Sequence, residues 1–190
     1  MKIFKVCADH DKYDACGIDF SACAKDHPGT ENYDMLFHLD GTPVASTWWP
    51  RKMKRYDDAP LGDYISKLSG DVLIMRRTVI EILRPVLGNI EILPLDCDFG
   101  DYWAVNILDV LDCIDYNHAE VKRFPKKNEY ETPRIMRFIN YAFHPDKIQG
   151  HHVFKIVDCP KAAIFVDETF LNEIAKHDIT GFKCKLVWES

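Results

Sequence analysis

Short apolar runs alternate with amphipathic segments from Leu61 onward, and this mixture limits the fold more than any other feature. The runs are DVLIM (71–75), IEILPLDC (90–97), DYWAVNIL (101–108) and AAIFV (162–166). Their length and composition are typical of strands, and none could cross a bilayer as a helix. Strands and helices mix without a strict βαβ order. The sequence therefore predicts an α+β fold, with a mixed, mainly antiparallel sheet and two or three packed helices.

Three segments have a spacing that favours helix. RRTVIEILRPVLGN (76–89) places apolar residues at one helical face, namely Val79, Ile82, Leu83, Val86 and Leu87, and its Pro85 predicts an early end. DETFLNEIAKHD (167–178) has Asp167 as a candidate N-cap. In LDVLDCID (108–115) the aspartates Asp109, Asp112 and Asp115 recur every three residues, which favours an ordinary amphipathic turn.

The remaining runs of the second part predict strands. IEILPLDC and DYWAVNIL are separated by the turn-prone DFGD, so they are expected to form an antiparallel pair. IMRFINYAF and HVFKIVD predict further strands. The closing GFKCKLVW alternates, which predicts a half-buried strand with Phe182, Cys184, Leu186 and Trp188 on one face.

No repeat or linker divides the chain. Residues 1–60 carry frequent turn signals around short apolar pieces, IFKVC (3–7) and MLFHL (35–39), and predict a loop-rich N-terminal β elaboration. Residues 61–190 predict an α+β core that forms one compact unit with the N-terminal part.

The charge balance points away from nucleic acid. With 24 basic and 30 acidic residues the formal net charge is −6, which repels phosphate backbones and suits a basic protein partner. The most basic segment, RKMKRY (51–56), follows Trp48 and Trp49, and we interpret it as a solvated loop beside partly buried tryptophans.

The N-terminus predicts where in the cell the protein is found, and the cysteines predict whether its thiols are oxidised. MKIFKVCADHDKYD offers no apolar signal region, so a cytoplasmic protein without a membrane partner is expected. The chain has seven cysteines, an odd number, and no CxxC motif. Free thiols are therefore expected rather than a disulfide framework.

Motifs of catalysis and of metal or cofactor binding are missing from the sequence. There is no Gly-rich phosphate loop, GxSxG elbow, HExxH or EF-hand pattern. His151 and His152 are adjacent, and adjacent strand residues point to opposite faces, so no metal site is predicted there. A Cys–His pair or a carboxylate cluster could still form in space. No cofactor is predicted.

Asp96, Asp98 and Asp101 surround the turn that is predicted between two strands. Aspartate is favoured in turns for its own backbone hydrogen bonds, and three of them could also form a negative surface at one end of the sheet. We expect this turn to contact a protein partner together with exposed aromatic residues, namely Trp48, Trp49 and Tyr102.

The order of these elements resembles a known family. The segments that carry the resemblance are DVLIMRRTVIEILRPVLGNIEILPL, DYWAVNILDVLDCID, HVFKI…AAIFVDETF and ITGFKCKLVW, between Leu61 and Trp188. They are similar to the immunity proteins of bacterial polymorphic toxin systems, in immunity family eleven. The resemblance implies an α+β domain that is encoded beside a secreted toxin, binds that toxin and has no catalytic residues.

Two other functions stay open from the sequence. A small hydrolase could detoxify by reversing a modification that the toxin makes, using the carboxylates or a Cys–His pair. An adaptor or chaperone could bind the toxin to load it for secretion.

Overall fold

The computed structural model describes residues 1–26, 39–66, 72–125 and 134–190, and this part of the chain is mainly β. Strands make up 38% and helices 18% of the residues, with thirteen strands in three sheets within the described ranges. The predicted α+β class with packed helices is therefore wrong. The amphipathic segments form only short helices, while the apolar runs between them pair laterally into sheets.

Strands follow one another along most of the described chain, with short helices between some of them. The strands are β1 (Lys2–Ala8), β2 (Cys16–Ile18), β3 (Arg51–Arg55), β4 (Tyr64–Ser66), β5 (Leu73–Arg76), β6 (Ile90–Asp96), β7 (Tyr102–Ile107), β8 (Val110–Leu111), β9 (Glu120–Arg123), β10 (Ile135–Asn140), β11 (Val153–Ile156), β12 (Phe165–Asp167) and β13 (Phe182–Glu189). The helices are α1 (Phe20–Asp26), α2 (Arg77–Leu83), α3 (Pro145–Ile148) and α4 (Glu168–Lys176), with a 3-10 turn at Ala45–Thr47.

The first sheet joins the two ends of the chain. Its strand order is β13-β1-β12-β11-β8, and only the β8–β11 pair in it is parallel. One of its faces packs on a cluster of aromatic residues in which Phe154 and Phe165 are fully buried. The run AAIFV, predicted as a central strand, is one only in part: Phe165 and Val166 belong to β12 in the middle of this sheet, whereas Ala162 lies in an exposed turn.

The second sheet has the order β2-β3-β6-β7-β5-β4. Its centre is the antiparallel β6–β7 pair, which confirms the pairing predicted across DFGD. β2 and β3, from the first sixty residues, extend this sheet through a parallel β3–β6 contact. The division of the chain at residue 60 stays a prediction. The strand expected at MLFHL cannot be compared with the structure, because its residues 35–38 lie outside the described residues. The third sheet is the β9–β10 hairpin.

Two of the helices predicted from the spacing of apolar residues, α2 and α4, are present in the structure. α4 follows its predicted N-cap, because Asp167 Oδ1 accepts a hydrogen bond from the Phe170 backbone N–H at 3.1 Å. α2 ends at Leu83, two residues before Pro85. Its predicted apolar face is partly wrong, since Ile80 is fully buried and Ile82 is 39% exposed.

LDVLDCID is not helical, and the amphipathic turn predicted there is wrong. The segment contains the short strand β8, which pairs with β11. Asp109 and Leu111 accept hydrogen bonds at their backbone oxygens from Lys155 and Val157 of the neighbouring segment. Because these carbonyl groups bond across the sheet, the backbone cannot also make helical hydrogen bonds.

The alternation predicted for β13 breaks at a β-bulge. Opposite β1, Phe4 faces Leu186 and Ile3 faces Trp188, so one residue of β13 is inserted between them. Phe182 and Cys184 pack on one core cluster and Trp188 on another, while Leu186 is 44% exposed. The prediction that all four residues share one buried face is therefore wrong.

Gly181 connects the last strand to the second sheet by a close backbone approach. Its φ is +94°, and a Cβ atom there would lie 2.0 Å from the Tyr64 backbone oxygen. Gly62 is also close to it, since a Cβ atom at Gly62 would lie 2.9 Å from the Gly181 Cα. Tyr64 N also donates a hydrogen bond to Thr180 O at 3.0 Å, so the two segments are held in contact.

All seven cysteines are free thiols, as the sequence predicts. Cys16, Cys23 and Cys113 are buried, and the other four are half-buried. Within the described ranges, no helix combines the length and the apolar character that a membrane span needs.

Candidate interaction surface

The predicted acidic turn is a real surface feature at the tip of the β6–β7 hairpin. Asp96 ends β6, and Asp98 and Asp101 follow in the turn, all three exposed. Asp96 lies 3.4 Å from Lys52 of the neighbouring strand β3. Asp101 Oδ1 accepts a hydrogen bond from Trp103 Nε1 at 2.7 Å. Asp98 has no hydrogen bond or ion pair with any residue in the described part of the chain, so its charge is open to a partner.

The segment before β3 brings the two tryptophans to the same sheet. Trp48 Nε1 donates a hydrogen bond to the backbone oxygen of Pro94, in β6, at 2.8 Å. Glu91, also in β6, holds the start of this segment, because its two carboxylate oxygens accept from the Val44 and Ala45 backbone N–H groups at 2.8 and 2.9 Å. Burial acts to raise the pKa of Glu91, but these hydrogen bonds outweigh it and the pKa is lowered.

The Arg51 guanidinium group packs on the rings of both tryptophans. Its guanidinium carbon lies 4.6 Å from the centroid of the Trp48 ring and 3.5 Å from that of Trp49, the geometry of cation–π contacts. Arg51 is 4% exposed, and burial lowers its pKa to about 10, so it remains charged at neutral pH. The stack fixes both indole rings, which are half-buried, against the edge of the second sheet.

A shallow pocket joins one tryptophan to the acidic turn. It has a volume of about 440 Å³ and is lined by Trp49, Lys52, Leu95 and Asp96 among others. The pairing of β3 with β6 creates this proximity, since Arg51 lies opposite Leu95 and the segment before it therefore runs beside β6. The structure thus brings Trp49 and Asp96 together although 47 residues separate them in the sequence.

Tyr102 is not part of the exposed surface, and its predicted exposure is wrong. It is 1% exposed, and its hydroxyl group donates a hydrogen bond to the Gly62 backbone oxygen at 2.6 Å. Burial raises the pKa of this hydroxyl to about 12. Alternation along β7 explains the position, since Tyr102 points into the second core cluster and Trp103 to the other side. The Tyr102 ring contacts Phe99 of the turn, with ring centroids 5.9 Å apart.

RKMKRY is a strand and not a solvated loop. Residues 51–55 form β3, and Arg51 and Met53 point inward. Arg51 organises the tryptophans, a role that was not predicted from the sequence. The order WWPR was the available signal, since an arginine so close to two indole rings can stack on them.

The aspartates of LDVLDCID form separate local contacts. Asp109 Oδ2 lies 3.2 Å from His151 Nδ1, and Asp112 lies 3.9 Å from the Lys147 ammonium group. Asp115 lies 2.6 Å from His118 Nδ1, and this hydrogen bond lowers the pKa of the carboxyl. His152 lies 2.8 Å from Asp167 instead, so the two adjacent histidines turn to different carboxylates. Among the described residues, no group of three or more potential ligands is placed to hold a metal ion.

We expect four thiols to be unreactive. Measuring their reactivity tests the hypothesis that the protein is an enzyme. Burial raises the pKa of Cys97, Cys113 and Cys184 to about 12 and that of Cys159 to about 11, so at pH 8 almost none of each is thiolate. Iodoacetamide should therefore modify these cysteines in the native protein at least about 100-fold more slowly than after denaturation. Peptide mass spectrometry measures both rates, and rapid native labelling of any of the four would contradict this expectation.

A family comparison supports one of the open interpretations. Residues 97–187, just under half of the chain, match the model of the family described as Immunity protein family (Imm11). No curated protein matches the sequence significantly. The similarity to immunity family eleven is thus confirmed over this segment, and an immunity role is supported in general terms. The segment includes Asp98 and Asp101 and excludes Trp48 and Trp49.

Proposed function

Because residues 97–187 match the immunity-protein family, we propose that this chain is a non-enzymatic immunity protein that binds a cognate secreted toxin and neutralises it by stoichiometric contact. The family match is the observation that carries this proposal. The toxin is expected to be encoded by an adjacent gene, and the complex to form in the cytoplasm of the cell that makes both proteins.

The acidic turn is the proposed first point of contact. Asp96, Asp98 and Asp101 project from the tip of one hairpin, and among the described residues only Asp96 of the three forms an ion pair. Together with the net charge of −6, this turn attracts a basic surface and accelerates encounter. A toxin domain with a basic face near its active site would fit this turn best.

The tryptophan pair is the proposed source of lasting affinity. Trp49 lines the pocket beside Asp96, and its ring is already held by Arg51. An aromatic side chain that is fixed before binding loses little conformational entropy, which is the property of residues that dominate binding energy. A stable inhibitory interface buries roughly 1,600 Å² in total, and the turn with the neighbouring segment 44–49 would be its centre.

The chemistry of the side chains favours inhibition by contact over enzymatic detoxification. Four of the seven thiols have pKa values raised to about 11 or 12, which makes them poor nucleophiles. The histidines at positions 151 and 152 turn to separate aspartates and do not converge on one reacting atom.

Mixing the protein with the toxic domain that is encoded next to it is expected to give one complex of fixed composition. Size exclusion with light scattering should show a single peak at the summed mass, and toxin activity should fall linearly and vanish at equimolar protein. A toxin domain from an unrelated system serves as the control and should elute separately. Full neutralisation at a small fraction of equimolar protein would contradict the proposal and favour the hydrolase. A complex in which the toxin stays active would favour the adaptor.

A further inference from the structure

A groove of about 390 Å³ lies between β10 and β13. Its lining includes Lys5, Ile139, Asn140, Tyr141, Lys185 and Leu186. None of the residues of the acidic turn lines it, so it is a separate surface. Residues 138–141, at the end of β10, line one side of the groove, and residues 185–187 of β13 line the other. The two strands belong to different sheets.

Two lysines face each other in this groove without a counter-charge. Lys5 of β1 lies directly opposite Lys185 of β13, and like charges in that position destabilise a strand pair. Within the described residues, neither ammonium group has an ion-pair partner. Lys183 on the same strand differs, because it lies 2.7 Å from Asp11. The groove therefore holds two uncompensated positive charges in a protein whose net charge is negative.

Apolar side chains stand beside the two lysines. Leu186 is 44% and Ile139 is 49% exposed, and they border the groove from β13 and β10. Tyr141 stacks on Phe138 with ring centroids 4.6 Å apart, which gives the groove an aromatic wall. The groove thus offers apolar side chains beside two positive charges.

The strands that form the groove have open edges. Of the described strands, β13 pairs only with β1, and β10 pairs only with β9. An open edge presents backbone N–H and C=O groups to another strand, and lysines on an edge normally prevent such pairing. A pair of lysines repels a basic strand and attracts an acidic one, so it selects its partner by charge.

We infer that this groove binds an extended acidic segment of a partner protein, which adds to the edge of β13 and places carboxylates on Lys5 and Lys185. The site is independent of the acidic turn and carries the opposite charge. It does not rest on the proposed toxin complex, since any partner with an exposed acidic strand satisfies it.

Titration of the ¹⁵N-labelled protein with a synthetic peptide tests the site. The peptide alternates glutamate and valine over the length of β13, and a matched peptide has lysine in place of glutamate. We expect chemical-shift changes along β13, β10 and the neighbouring Lys5 with the acidic peptide only, weakening as salt is added. The double variant Lys5→Glu with Lys185→Glu should bind at least about tenfold more weakly.

The control variant carries Lys161→Glu and Lys176→Glu, which make the same charge change at exposed positions outside the groove. It should bind almost as tightly as the wild type. If the charge-reversed groove variant does not fold, Lys5→Gln with Lys185→Gln replaces it, with a smaller expected loss. Binding of the lysine peptide, shift changes elsewhere, or no acidic peptide binding would overturn the site. Concentration-dependent dimers that the groove variant abolishes would show that a second copy occupies it.

Discussion

Replacing Gly181 with alanine is expected to lower the free energy of unfolding by at least about 4 kcal/mol, enough to leave a domain of marginal stability largely unfolded. Its φ of +94° is strained for any residue with a Cβ atom. That atom would also lie 2.0 Å from the Tyr64 backbone oxygen, and the contacting atoms are backbone atoms, which cannot rotate away as a side chain can. Urea unfolding followed by circular dichroism measures the loss.

Gly150→Ala is the matched control for this prediction. Gly150 also has a positive φ, of +84°, but no atom lies within 4 Å of its Cβ position. Its substitution should therefore cost only the backbone strain, about 1 kcal/mol. The difference between the two variants measures the cost of the close approach to Tyr64. Equal losses would show that the contact is not a rigid part of the fold.

Charge reversal of the acidic turn is expected to slow toxin association by about 10- to 100-fold at low salt. The variant carries Asp96→Lys, Asp98→Lys and Asp101→Lys. The dissociation rate should change less, because the turn is exposed and the tryptophan pair is untouched. Stopped-flow mixing with the toxin domain measures the association rate, and the difference should shrink as ionic strength rises and screens the charges.

A second triple variant separates the turn from the overall charge. Substitution of Asp58, Asp112 and Asp146 by lysine makes the same change in net charge at three other exposed aspartates. It should slow association only a few-fold, since long-range attraction is lost but the local surface is kept. If both variants slow association equally, the acidic turn has no special role and only the net charge matters. Unchanged association in the turn variant would remove the turn from the interface.

Local patterns predicted those elements that depend on local interactions. The β6–β7 pair follows from a turn flanked by β-prone runs, and α4 follows from the Asp167 cap. The α+β class was wrong because the residues after Asp109 use their backbone groups across a sheet, which the spacing of the aspartates does not reveal. Polar residues at every third position occur on helices. They also occur in irregular segments, where each carboxylate contacts a different residue of the same chain.

The candidate surface was predictable in part for the same reason. Turn chemistry places Asp96, Asp98 and Asp101 at an exposed tip from the sequence alone. The approach of Trp49 to Asp96 depends on the parallel pairing of β3 with β6, which is a long-range contact. Burial of Tyr102 depends on the layers that cover both faces of β7, since Tyr102 and Trp103 pack on different core clusters, and the alternation along one strand does not reveal those layers.

The place of β1 in the first sheet has a consequence for synthesis on the ribosome. β1 leaves the ribosome early, but its two neighbours are β12 and β13, near the other end of the sequence. The first sheet cannot close until residues 165–189 are available, so the nascent chain exposes an unpaired strand until those residues are made. In the proposed role, protection would lag behind synthesis by the time that this late closure takes. A cell that makes a toxin together with this protein would need to start translating the protector first.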